Sequence, residues 1–184
     1  MGPDAVDEIV SQWNRERPDL DVTGMGIIGR IGRLDQVLRA RLNEVFAAHD
    51  LENWEFDVLA TLRRSGEPYQ LTPGRLLDSM MITSGAMTNR IDRLEARGLV
   101  TRSKSPTDGR QVLVTLTMQG RTTLDAALAD HVENERRLIS SLDPDQQQDL
   151  IALLRRLHHG VTRDTAETEP VDGRDGRDGR DTAG

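Results

Sequence analysis

Between Gln70 and Val112, seven basic side chains (Arg75, Arg90, Arg93, Arg97, Arg102, Lys104 and Arg110) stand against four acids (Asp78, Asp92, Glu95 and Asp108). That is a local balance of +3 in a chain whose formal charge is -7. Guanidinium groups gathered in this way suit a polyanion, because each can neutralise one phosphate and release its counterion. The acid collects at the ends, where residues 1–22 carry six acids and two arginines, and residues 161–184 seven acids and four arginines. A polyanion is therefore attracted by the middle of the chain and repelled by its termini.

Other chemistries find no residues to carry them. Cysteine is absent, which excludes disulfides, thiolate metal sites and thiol nucleophiles. The histidines, His49, His131, His158 and His159, have no metal-ligand spacing, and the adjacent pair points to different helical faces, so neither a metal nor a cofactor is expected. "GMGIIG" at 24–29 copies a dinucleotide fingerprint only as a string. No strand precedes it and the apolar residues after it continue a helix, so its glycines are expected to let helices pack closely. No Ser/His/Asp arrangement or paired carboxylates in an evident cleft suggests an enzyme. No apolar run approaches eighteen residues and no basic-then-apolar leader opens the chain, so the expectation is a cytoplasmic protein that does not span a membrane.

The elements that must position the basic cluster can be read from periodicity. Val6, Ile9, Val10 and Trp13 share one face of a helix over 4–15, and apolar residues from Ile27 to Phe46 recur at helical spacing through a long helix over 24–48. Another helix covers 54–62, Thr72-Pro73 opens a short one to about Ser79, and Thr83 or Ser84 caps one that runs to Arg97 and stops at Gly98. Then the period shifts to two. Residues 99–103 and 111–116 form a β-hairpin whose turn is assigned to Asp108-Gly109. Thr117 caps a further long helix, and Asp143-Pro144 with Gln146 begins the last. The tail from Gly160 ends in "DGRDGRDGRD", lacks the signatures of a calcium loop or of collagen, and should be a disordered, solvated segment.

Three helices followed by a hairpin, the third helix basic, is the order of a winged helix-turn-helix, in a fold that is mainly α with a small β wing (α+β). Such a helix enters the major groove with its N-terminal side chains, here Thr83, Ser84, Thr88 and Asn89, at base edges. Arg93 lies on its flank for phosphate, and Arg110 at the wing tip suits the concentrated negative potential of the minor groove.

"DRLEARGLVTR", the wing "DGRQVLVTLT" and Gly120 resemble the MarR family of transcriptional regulators over about residues 24–158. The resemblance implies an intertwined helical homodimer reading a pseudo-palindromic operator in double-stranded DNA. Its domains would be an N-terminal helix at 1–22 contributing to a ligand pocket, a dimerisation region at 23–50 and 117–159, the winged unit at 51–116 and a tail at 160–184. A urate-responsive subgroup typified by PecS and HucR adds an N-terminal helix bearing a Trp, matched by Trp13. It also has an Asp, matched by Asp57 in "WEFDVL", and two arginines, matched by Arg90 in "TNRIDRL" and Arg102 in "LVTR". The resemblance thus implies a repressor released by urate or a related anionic purine, with another anionic aromatic, such as a phenolic acid, as the alternative effector. Plainer roles stand beside these: Trp13 as packing, Asp57 as a salt-bridge acid, Arg90 and Arg102 as phosphate contacts. The chemistry suits the ligand, since a flat anion needs a ring contact and a guanidinium. A carboxylate beside it is repelled and must change partner.

Arg110→Ala is expected to weaken DNA binding and to lower the slope of log affinity against log salt by about one, measured by titrating a labelled duplex at several salt concentrations.

Overall fold

The computed structural model describes residues 2–80 and 83–168, and the chain divides into two units, Met1–Arg137 and Leu138–Gly184. The first holds α1 (Ala5–Glu16), α2 (Thr23–Ala48), α3 (Asn53–Arg64), β1 (Gln70–Leu71), α4 (Pro73–Asp78), α5 (Ser84–Ala96), β2 (Val100–Lys104), β3 (Val112–Leu116) and nearly all of α6 (Met118–Leu138). The second holds α7 (Pro144–Thr168). The architecture is a winged helix-turn-helix, mostly helical with one small antiparallel sheet.

Caps set the helix boundaries. Asp4 accepts from Val6 and Asp7 N–H at 2.8 and 2.9 Å and opens α1, and Arg30 of α2 reaches back to the carboxylates of Asp4 and Asp7. Gly26 and Gly29 of α2 lie under Val10 and Val6, where an added Cβ would sit 3.7 and 3.4 Å away. They ease the approach of α1, as their spacing suggests, but an alanine would also fit at ordinary contact. Thr72 accepts from Arg75 N–H and has Pro73 after it. Thr83, not Ser84, caps α5 by accepting from Ala86 N–H at 3.4 Å. Asp143 and Gln146 form the reciprocal cap that starts α7.

Three details differ from the sequence expectation. The sheet has a third strand, β1, in the order β1-β3-β2, with Gln70 opposite Thr115 and Leu71 opposite Val114; two residues are too few to show a period. The wing is not a tight Asp-Gly turn, because Gly109 does not take a positive φ; among the described residues the glycines that do are Gly66 and Gly98. Instead Ser105 Oγ accepts from the N–H groups of Thr107 and Asp108, Asp108 Oδ1 accepts from Arg110 N–H, and Ser105 N–H closes on Gln111 O at 2.9 Å. Finally, α7 runs through Gly160, where the tail was expected to begin, as far as Thr168. A helix already nucleated gains one backbone bond per added residue, which offsets a single glycine. Residues 169–184 lie outside the described part of the chain.

The core of the first unit gathers Leu59, Leu62, Leu76, Ile91, Leu94 and Leu124, each at most 1% exposed, and burying each such side chain contributes about 1.5–3 kcal/mol. Phe46 stacks on Phe56 with centroids 4.3 Å apart, and His131 of α6 tilts against both. The start of α6 is stitched to the end of the winged unit: Thr117 Oγ1 donates to Gly98 O at 2.8 Å and accepts from Gly120 N–H at 2.9 Å. Gly120 leaves no room there, since a Cβ would stand 2.0 Å from Leu99 O.

Gly120→Ala is therefore expected to destabilise the protein by about 3 kcal/mol or more through overpacking, against the gain of up to ~1 kcal/mol that the same change makes in an open helix. Urea denaturation decides between the two signs.

Candidate effector cavity and nucleic-acid interface

One face of α3, at a spacing of three and four residues, carries Trp54, Asp57, Thr61 and Arg64. These side chains form the wall of a cavity of about 640 Å³ that is also lined by Arg39 of α2, Ser79 and Met80 beyond α4, and Arg90 of α5. The lining is unbalanced in charge, with three guanidiniums against one carboxylate. Arg39 is paired with Asp35 at 2.8 Å. Asp57 keeps an exposed flank, yet desolvation by the surrounding protein pushes its carboxyl above the ordinary 3.8, while the positive charges of Arg90, His131 and Arg64 pull it back. Thr61 donates to the backbone carbonyl of Asp57 at 2.7 Å and accepts from Arg64 at 3.2 Å, so the polar wall is internally bonded.

Trp54 joins this cavity to α5. Arg93 lies 4.7 Å and Arg90 5.5 Å from its ring centroid, one helical turn apart, and such contacts contribute about 0.5–1 kcal/mol each where exposed. Glu52 accepts from the Trp54 indole N–H at 2.6 Å and also from Arg93. A second tie lies at the other end of α5. Glu55, only 1% exposed, accepts from Arg97 at 2.6 Å, and Arg97 also donates to the backbone and side chain of Asp50. The Oε1 atom of Glu55 has no hydrogen-bond partner among the described residues, so Arg97 carries most of the compensation for a buried charge.

Of the four ligand residues expected from sequence, the structure brings two together. Asp57 and Arg90 line one cavity. Trp13 is 44% exposed on α1 and is not part of that lining. Arg102 on β2 pairs instead with Asp92 and Glu95, its backbone N–H also reaching Glu95 Oε1 at 2.9 Å. The turn at Gly98, which takes a positive φ, reverses the chain after α5 and brings β2 back beside those two acids. Trp54, Arg39 and Arg64 were missed. The run Trp54, Asp57, Thr61, Arg64 was visible as one helical face, but nothing in the sequence said that the face was left open.

The DNA side divides in the same way. Ser84, Thr88 and Asn89 are exposed on the N-terminal half of α5, and Thr83 is exposed with its hydroxyl engaged as the cap. Arg110 is exposed at the wing. Arg93, expected on phosphate, is instead turned onto Glu52 and Trp54. Among the described residues no group of histidines and acids could hold a metal ion, and no helix is long and apolar enough to cross a membrane.

Residues 49–111 match the MarR family. The HTH-type transcriptional regulator PecS of Dickeya dadantii is 40% identical over 152 residues, covering 83% of this chain and 92% of PecS. A mutant MarR from E. coli, solved in complex with operator DNA, superposes with a TM-score of 0.63 at 28% identity over 79% of this chain and 96% of that one. BpsR of Bordetella bronchiseptica, described for regulation of its DNA binding by 6-hydroxynicotinic acid, superposes with a TM-score of 0.62 at 26% identity over 71% of this chain and 91% of its own.

Arg97→Met removes the partner of a buried carboxylate and should lower stability by about 3 kcal/mol. The shift of the urea midpoint at unchanged slope measures it.

Proposed function

The chain belongs to the MarR family of transcriptional regulators, and on that premise we propose that it is a homodimeric repressor released from a pseudo-palindromic operator by urate or a related anionic purine. Family and relatives are regulators of transcription, not enzymes. The observation that carries the effector reading is that the recognition helix α5 itself supplies a wall of the cavity, through Arg90 beside Asp57 and Trp54.

A planar anion entering the cavity is attracted by Arg90 and repelled by Asp57. Arg90 then turns from the Trp54 ring towards the ligand, and one half of the bracket that holds α5 against α3 is lost. Asp57 loses the cation that favours its charged form. Both effects bias the orientation of α5, and a ligand shifts the equilibrium by as much as its affinities for the two orientations differ. Trp13 and Arg102 act at the periphery: Trp13 with its exposed indole on α1, Arg102 as the brace that ties β2 to Asp92 and Glu95 of α5.

The DNA contacts in this proposal are Ser84, Thr88 and Asn89 at base edges, with Thr83 ordering the helix start and Arg110 in the minor groove. Arg93 becomes available to phosphate only when it leaves Glu52. The dimer reading is supported by apolar surface that the first unit leaves open on α2, where Ile27, Ile28 and Leu34 are each more than half exposed, and α7 by itself presents Leu153, Leu154 and Val161. A twofold pair would set its two recognition helices about 34 Å apart, one turn of DNA. An aromatic carboxylate as effector is the second reading, and it is favoured by the likeness to BpsR, whose DNA binding is regulated by 6-hydroxynicotinic acid.

A gel-shift with DNA from the gene's own upstream region, titrated with urate, tests the proposal. The wild type should release the duplex, whereas Asp57→Asn should bind DNA as tightly yet release a smaller share of it at saturating urate, having lost the charge whose repulsion couples binding to release. A duplex that stays bound at saturating urate rejects the urate reading, and release by 6-hydroxynicotinate alone selects the second.

A further inference from the structure

The cavity offers an anion more than Arg90. Its other two guanidiniums differ in what holds them. Arg39 is ion-paired to Asp35. Arg64 donates one hydrogen bond, to the Thr61 hydroxyl at 3.2 Å, and makes no ion pair among the described residues. The neighbouring arginine shows what an engaged residue looks like here: Arg63 pairs with Asp125 at 3.0 Å and lies 4.8 Å from the Tyr69 ring centroid. Two adjacent arginines at the end of α3 are thus divided, one fastened to the protein and one left facing the cavity.

Direction reinforces the point. Side chains on a helix lean towards its N-terminus, so Arg64 is drawn back over the Thr61 turn, towards Asp57 and Trp54, and not beyond the helix end. Arg90 approaches the same space from α5. Neither forms an ion pair among the described residues, and Asp57 is the one carboxylate in the lining. Trp54 and Met80 supply apolar surface to the same space. Two guanidinium forks without ion pairs, on two different helices and with an aromatic ring in the same lining, suit a flat ring that offers acceptors at both ends.

From this we infer that Arg64 is a second anion anchor of the effector cavity, and that the ligand is a planar aromatic with anionic or carbonyl edges at opposite ends, bridging Arg64 on α3 to Arg90 on α5. The inference rests on the effector reading above and narrows it, since a ring with one acidic edge satisfies only one of the forks. It also supplies the guanidinium that Arg102, committed to Asp92 and Glu95, does not bring to the cavity.

The test measures binding of urate, with acceptor edges at both ends, and of benzoate, with one, to the full chain and to Arg64→Gln and Arg64→Lys. Arg64 is exposed, so neither variant disturbs the core. Loss of one charge-assisted pair should weaken urate by about tenfold or more in Arg64→Gln, change weak benzoate binding by less than about twofold, and be partly restored in Arg64→Lys, which keeps the charge without the fork. Unchanged urate affinity in Arg64→Gln overturns the inference, and so does an equal loss for both ligands, which would be a general field effect. Urate release of operator by the wild type is scored separately: if it occurs while Arg64→Gln binds urate normally, the effector reading stands and the second anchor falls. If the wild type neither binds urate nor releases DNA, both fall together.

Discussion

The recognition helix is held by carboxylates at one end of a neighbouring helix. Glu52 and Glu55 open α3 with a reciprocal cap, Glu55 accepting the backbone N–H of Glu52, and the same two side chains receive Arg93 and Arg97 of α5. A cap and a clamp are thus built from one pair of residues. Glu55 is buried, and a buried charge tolerates little displacement of its partner. Arg97 therefore fixes the C-terminal end of α5, and movement is left to the part nearer Arg90 and Trp54, where the contacts are cation–π and half exposed. On the proposed effector reading, that division between a rigid end and a compliant one would let the cavity influence how DNA is read.

Much of this could be read before any coordinates. Caps such as Thr72-Pro73, Thr83 and Asp143 with Gln146 fall where local hydrogen bonding demands them, because a cap depends on four or five consecutive residues. The convergence of Asp57 and Arg90 was also legible, through resemblance, although they lie on different helices. What escaped were facts of tertiary contact. A helical wheel shows that Arg90, Arg93 and Arg97 share a side of α5, but not that this side meets Trp54, Glu52 and Glu55 instead of phosphate. The two-residue strand β1 carries no period to detect. The partners of Arg102 escaped for a simpler reason: Asp92 and Glu95, fewer than a dozen residues earlier, become its neighbours once the chain reverses at Gly98.

Charge follows the same logic at larger scale. The middle of the chain is basic by composition, but several of its arginines are occupied by acids within the fold, so the surface offered to DNA is less positive than a count of residues implies. In the proposed interface, binding would then depend more on the polar N-terminal half of α5 and on the wing than on indiscriminate attraction. That suits a reader of sequence.

The stitch between Thr117, Gly98 and Leu99 has a mechanical meaning. With α6 bonded to the turn that ends α5, and with Gly120 pressed against the Leu99 carbonyl, the wing and the recognition helix share one pivot and cannot swivel separately. In the proposed mechanism a displacement near Arg90 would tilt them together, as a single lever. On the proposed effector reading, letting go of the duplex would then be a matter of misalignment, with no melting of the reader.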